Sequence, residues 1–197
     1  NDEIEFSFIQ VKQVGAPAII EEVLNLGVTK CKNLIFVGSA GSLSKDISIG
    51  DIVIPKSSIC GNGASKYLNR NLEDDFGKME KPADKLTALL LNVSKKITNG
   101  TNIKTHNVTN FSVDTIFGQF PHIDKILSLG AKTIEMETYV LFKASKIARI
   151  KSSAILCVSD NTIIKKSLYS GRTEADRKLR KKVRNDIIPQ IIISCFK

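Results

Sequence analysis

The apolar run Leu34-Ile35-Phe36-Val37 breaks into Gly38-Ser39-Ala40-Gly41-Ser42-Leu43, and a second apolar run, Ile49-Gly50-Asp51-Ile52-Val53-Ile54, begins just after it. The first run is too short for a helix and too apolar for a solvated loop, so it reads as a buried strand. The glycines carry no Cβ and tolerate positive φ, which lets backbone N–H groups approach an anion or a sugar hydroxyl closely. Ser39 adds a hydroxyl at the strand end. By itself the turn identifies no ligand, because Gly-Ser turns after strands are common.

The rest of the chain alternates around this stretch. Ile4 to Val11 has the spacing of a strand and ends at Gly15-Ala16-Pro17. Pro17 suits the first turn of a helix, where its missing N–H costs nothing. That helix runs to about Leu26, with Ile19, Ile20, Val23 and Leu24 as its apolar stripe and Gly27 as its stop. Ser57 to Lys81 turns polar and predicts an irregular loop with one short strand. Pro82 opens a helix to about Ile97, with Leu86, Leu89, Leu90, Val93 and Ile97 on one face and Asn99-Gly100 after it. Ile103 to Val108 predicts a strand, and Phe111 to Phe117 a strand running into a loop.

Ile123 to Leu129 predicts a short helix closed by Gly130, and Lys132 to Ile134 a brief strand. Met136 to Ala148 has helical spacing through Met136, Val140, Ala144 and Ile147. Ser153 to Val158 reads as a buried strand ending at Ser159-Asp160. Thr173 to about Ile188 is a helix with Leu179, Val183 and Ile187 inward, which Pro189 should kink or end. Strands alternating with helices imply an α/β architecture, a central mixed sheet flanked by helices, in one domain over residues 1–197. Ligands of such sheets collect at the carboxyl ends of strands. Ser39, the Glu135–Glu137 stretch and Asp160 fall there.

Composition narrows the class. The charged fraction of 25% and apolar fraction of 42% are ordinary for a globular chain of 197 residues. No apolar run approaches the roughly 20 residues a membrane helix needs. Cys31, Cys60, Cys157 and Cys195 are scattered, with no CxxC pair and two histidines, which argues against a zinc site or a disulfide framework. Reduced cysteines and a cytoplasmic location follow as expectations. The net charge of +9 is concentrated between Lys165 and Arg184, where nine basic residues face two acidic ones. Such a run reads first as a solvated helix face and second as a polyanion site.

Gly38-Ser39-Ala40-Gly41, Ile49-Gly50-Asp51, Ser112-Val113-Asp114, Glu135-Met136-Glu137-Thr138 and Ser159-Asp160 together resemble the nucleoside phosphorylase and nucleosidase superfamily, from about Val14 to Arg184. The resemblance implies cleavage of the N-glycosidic bond of a purine nucleoside, by phosphate or by water, with no cofactor beyond phosphate as a co-substrate. Glu137 would accept the ribose hydroxyls and Met136 would floor the sugar. Asp160 would protonate the departing base at N7, and Arg177, in Thr173-Glu174-Ala175-Asp176-Arg177, would assist it. Ser39, Gly41, Ile116, Phe117 and Glu135 complete the implied site, with Ile116 at the base-stacking position. The family is homo-oligomeric, which implies a dimer or hexamer, and neither membrane nor nucleic acid is an implied partner.

Two departures qualify the resemblance. At Phe36 the phosphorylases carry an arginine that grips phosphate, and a phenyl ring offers neither charge nor a bidentate fork. The usual N-terminal segment of the family, with its phosphate-binding glycine and arginine or its nucleosidase glutamate, is expected to be lacking. These features keep open a nucleoside-binding relative with impaired catalysis, beside the polyanion-binding reading of Lys165–Arg184.

Overall fold

The computed structural model describes residues 5–196. Its strands are β1 (Asn33–Ser42), β2 (Ile52–Val53), β3 (Ser57–Gly61), β4 (Met79–Glu80), β5 (Thr105–His106), β6 (Thr109–Val113), β7 (Thr133–Glu135) and β8 (Lys151–Asn161). They form one mixed sheet in the order β4-β3-β6-β7-β1-β8-β2-β5. The two long strands, β1 and β8, run parallel at its centre. Helices flank the sheet on both faces, as the alternation of elements predicts.

β8 shows why the sheet is a middle layer. Ala154, Leu156 and Val158 join α1 (Ala16–Leu26) and α4 (Thr138–Ile147) in one core. The intervening Ile155 and Cys157 join α2 (Asp84–Thr98) and the C-terminal helices α5 (Glu174–Lys182) and α6 (Ile188–Ser194) in a second. A strand buried on both faces must be apolar at every position rather than at alternate ones. A third cluster, around Ile59, Phe111 and Ile134, is closed by α3 (Ile123–Ser128) through Ile126. Cys157 is fully buried, and burial pushes its thiol up to about 11. No helix among the described residues is long and apolar enough to cross a membrane.

Several elements differ from the sequence expectation. Ile4 lies outside the described residues, and residues 5–14 form no strand. Phe6, Phe8 and Ile9 are exposed, so the segment has apolar alternation without a sheet neighbour to bury it. Pro189 does not end the C-terminal helix, which continues to Ser194. A π-helical turn over Val183–Ile187 precedes it, so the proline falls where the hydrogen-bond register is already changing. The helix expected from Met136 begins at Thr138, because Glu135, Met136 and Glu137 form the end of β7 and the turn after it.

The basic run is also not a uniform solvated face. Lys166 pairs with Asp176 at 2.9 Å and Lys178 with Glu174 at 2.8 Å, while Arg172 and Arg180 turn inward. Much of the expected polyanion surface is thus engaged within the chain.

Candidate active site

β8 does not stop at Val158 but runs on to Asn161, and its pairing with β1 slips near the end. Ala40 pairs with Val158 while Gly41 pairs with Asp160, so Ser159 is an extra residue on β8. Such a bulge re-aims the side chain that follows it. Here it turns Asp160 over Gly41, where a Cβ would lie 3.1 Å from Asp160 Oδ2 and 3.3 Å from Ile134 Cγ2. The glycine at 41 is therefore a space requirement of the acid beside it.

Ser159 Oγ lies 2.5 Å from Asp160 Oδ1 and 3.3 Å from the Ala40 carbonyl oxygen. The hydroxyl can donate to an ionised Asp160, or accept from a protonated one while donating to Ala40. Burial raises the carboxyl above its ordinary range, and the Ser159 hydrogen bond and the charges of Arg172 and Arg180 only partly offset this. A carboxylic acid that holds its proton is what the sequence requires of this position.

Asp160 opens onto a cavity of about 810 Å³. Ser39 and Gly41 of β1, Ile116, and the Glu135–Glu137 stretch all line it, so the glycine-rich turn, the Glu-Met-Glu stretch and the Ser-Asp pair converge on one space. Ile134, Val113 and Leu168 give it apolar walls. Glu137 lies at the start of α4, where its Oε1 accepts the Gly15 N–H at 2.7 Å and its Oε2 the Met136 N–H at 3.2 Å. Each carboxylate oxygen has a second lone-pair direction, which leaves two acceptor sites toward the cavity.

Glu135 has a different part from the one the resemblance implies. It is buried, and five donors surround it: Asn110 Nδ2 at 2.6 Å, Ser112 Oγ at 2.5 Å, Thr138 Oγ1 at 2.9 Å, and the N–H groups of Glu137 and Thr138 at 2.7 and 2.8 Å. No lone pair is left for a substrate. Burial and the neighbouring charge of Glu137 raise its pKa, and the hydrogen bonds pull the other way. Glu135 ties β6, β7 and the start of α4 together and thereby aims Glu137.

Two further expectations are corrected by position. Arg177 is on the exposed side of α5, outside the cavity lining. The helix start is fixed by a Thr173–Asp176 capping box, and with that phase the half-buried stripe falls on Asp176, Leu179 and Arg180. Arg180 is the one cationic side chain lining the cavity among the described residues, and its Nε is buried without a partner. Arg172 Nη1 donates to the Ser159 carbonyl oxygen at 3.2 Å, and its Nη2 to that of Leu168. Phe117 points away from the cavity that Ile116 lines and stacks on Tyr169, with ring centroids 5.0 Å apart. Successive side chains of an extended loop face opposite sides, so only one of the pair can enter.

Gln119 was not foreseen at all. It lines the cavity near Ile116, and its Oε1 is buried without a hydrogen-bond partner. A lone glutamine in a loop carries no sequence signal, whereas Arg180 was discoverable from the helix phase.

Comparison with known proteins agrees with this geometry. The family model described as the phosphorylase superfamily matches residues 8–186. A DeoD-type purine nucleoside phosphorylase of Thermoanaerobacter sp. is 29% identical over 163 residues, covering 79% of this chain and 64% of the relative. One from Streptococcus uberis is 27% identical over 155 residues, covering 75% and 60%. The chain thus spans about three-fifths of the length of these curated relatives. Among solved structures, uridine phosphorylase of Vibrio fischeri aligns with a TM-score of 0.71 at 19% identity, covering 93% of this chain and 72% of that one. MTAN of Helicobacter pylori aligns at 0.69 and 16%, covering 93% and 76%. At such identities these two speak for the fold alone. By its sequence match over most of its length and by its curled mixed sheet, this chain belongs to the phosphorylase superfamily.

Proposed function

We propose that this chain cleaves the N-glycosidic bond of purine nucleosides. The observation that carries the reading is Asp160, an acid kept protonated by burial, on a bulge that opens into the cavity lined by Glu137, Met136 and Ser39. As the bond lengthens, positive charge grows on the ribosyl centre and negative charge on the base. A proton delivered to purine N7 neutralises the leaving base, and a pyrimidine offers no equivalent atom. The purine names of the curated relatives support the same base class.

Glu137 would hold the ribose by its two free acceptor directions, with Met136 against the apolar face of the sugar. Because the acid must be protonated, kcat/KM should fall as pH rises through the Asp160 pKa, which lies above the ordinary carboxylate range. Arg180 is the positioning residue: its charge reaches Asp160 from the cavity wall. Arg180→Gln should weaken the pull toward ionisation and move that alkaline limb upward, while Arg177→Gln leaves the profile unchanged. The reverse pattern would restore the assisting role to Arg177.

The experiment that tests the site is a comparison of ligands on Glu137→Gln. A charged acceptor lost from two buried hydroxyls costs about 1–3 kcal/mol, roughly five- to hundredfold in Kd. Nucleoside binding should weaken by that amount while binding of the free base stays nearly unchanged. Equal loss for both ligands would make Glu137 a structural residue and remove the ribose from the assigned place.

A further inference from the structure

The proposed reaction needs an acceptor for the ribosyl group, and the choice lies between phosphate and water. A phosphate dianion enters a cavity only against fixed positive charge or free N–H donors. Four carboxyl groups line this one, those of Glu22, Glu135, Glu137 and Asp160, against the single guanidinium of Arg180. That guanidinium stands close to Asp160, at the end where the base would leave, and not beside Glu137 and Ser39.

Helix N-termini are the usual alternative to cations, and two of them face the cavity. Both are already occupied. The N-terminus of α4 is covered by Glu135, which takes the Glu137 and Thr138 N–H groups at 2.7 and 2.8 Å. That of α1 is covered by Glu137, which takes the Gly15 N–H at 2.7 Å, and the next position but one is Pro17, which has no N–H. Each carboxylate does for its helix what a bound phosphate would do, and repels a second anion. The Phe36 ring lines the same cavity and adds apolar wall.

From this distribution of charge and donors we infer that the acceptor is water, and that the chain is a nucleoside hydrolase whose cavity excludes phosphate. The inference rests on the glycosidic-bond reading above. The C1′–N9 bond breaks with its electron pair going to the base, and the Asp160 carboxyl proton goes to N7. A water oxygen bonds to C1′, and the proton it sheds returns through the cavity water to the Asp160 carboxylate. The products are the free sugar and the neutral base, and the acid ends as it began.

The test incubates the chain with inosine and adenosine at rising inorganic phosphate and resolves free sugar from sugar 1-phosphate. Free sugar at a rate that phosphate changes by less than about twofold supports the inference. Sugar 1-phosphate, formed at a rate that saturates with phosphate, overturns it and leaves the glycosidic-bond reading intact. If neither nucleoside is cleaved under any condition, that reading fails, and titration calorimetry with inorganic phosphate alone then reads the cavity directly. A flat titration supports exclusion of the anion; saturable heat refutes it.

Discussion

Replacing Asp160 by Asn is expected to lower kcat for inosine and adenosine by roughly 10²–10⁴, the range for loss of a general acid, with a much smaller effect on KM. The amide keeps the shape of the carboxyl, so the bulge at Ser159 and the contact over Gly41 should survive. It cannot give a proton to N7. The alkaline limb of the pH profile should disappear with the group that causes it. Substrates whose base leaves without protonation should lose far less. Full turnover of both purines by the variant would remove Asp160 from the chemistry.

The second large effect concerns stability. Glu135→Ala should destabilise the fold by about 3–5 kcal/mol, seen as a fall of roughly 10 °C in the melting temperature. The methyl group leaves the Asn110 amide, the Ser112 and Thr138 hydroxyls and two N–H groups of α4 facing a void they cannot hydrate. Glu135→Gln should fall between the two. Its single carbonyl oxygen can serve the side-chain donors or the backbone donors, but not both. A Glu135→Ala protein within about 1 kcal/mol of the parent would show that these hydrogen bonds contribute little beyond those to water.

The sheet centre was legible because its cause is local. Ser153–Val158 has no polar alternation, and a strand buried on both faces has to read that way. Gly130 marks the end of α3 at φ 88°, a conformation that the sequence announces with a glycine. The parts of the site that were legible, Ser39, Met136, Glu137 and Asp160, are those whose neighbours in sequence are also neighbours in the cavity. What was not legible depends on register and phase between distant elements. The bulge at Ser159 exists only in the pairing of β8 with β1. The exchange of Arg177 for Arg180 follows from where a capping box starts α5. Glu135 and Glu137 are the same residue type two positions apart, and only the donors around each separate a structural carboxylate from a free one. Residues 5–14 show the opposite failure, an alternating pattern that finds no strand to pair with.

The most direct test of the central claim is release of the base. The chain and its Asp160→Asn variant are incubated in parallel with inosine and adenosine, and free hypoxanthine and adenine are measured over time. The account predicts catalytic release of both purines by the parent chain and near-complete loss in the variant, at unchanged nucleoside affinity. Intact nucleosides recovered from a parent chain that binds them saturably would contradict it and would make this cavity a binding site without catalysis.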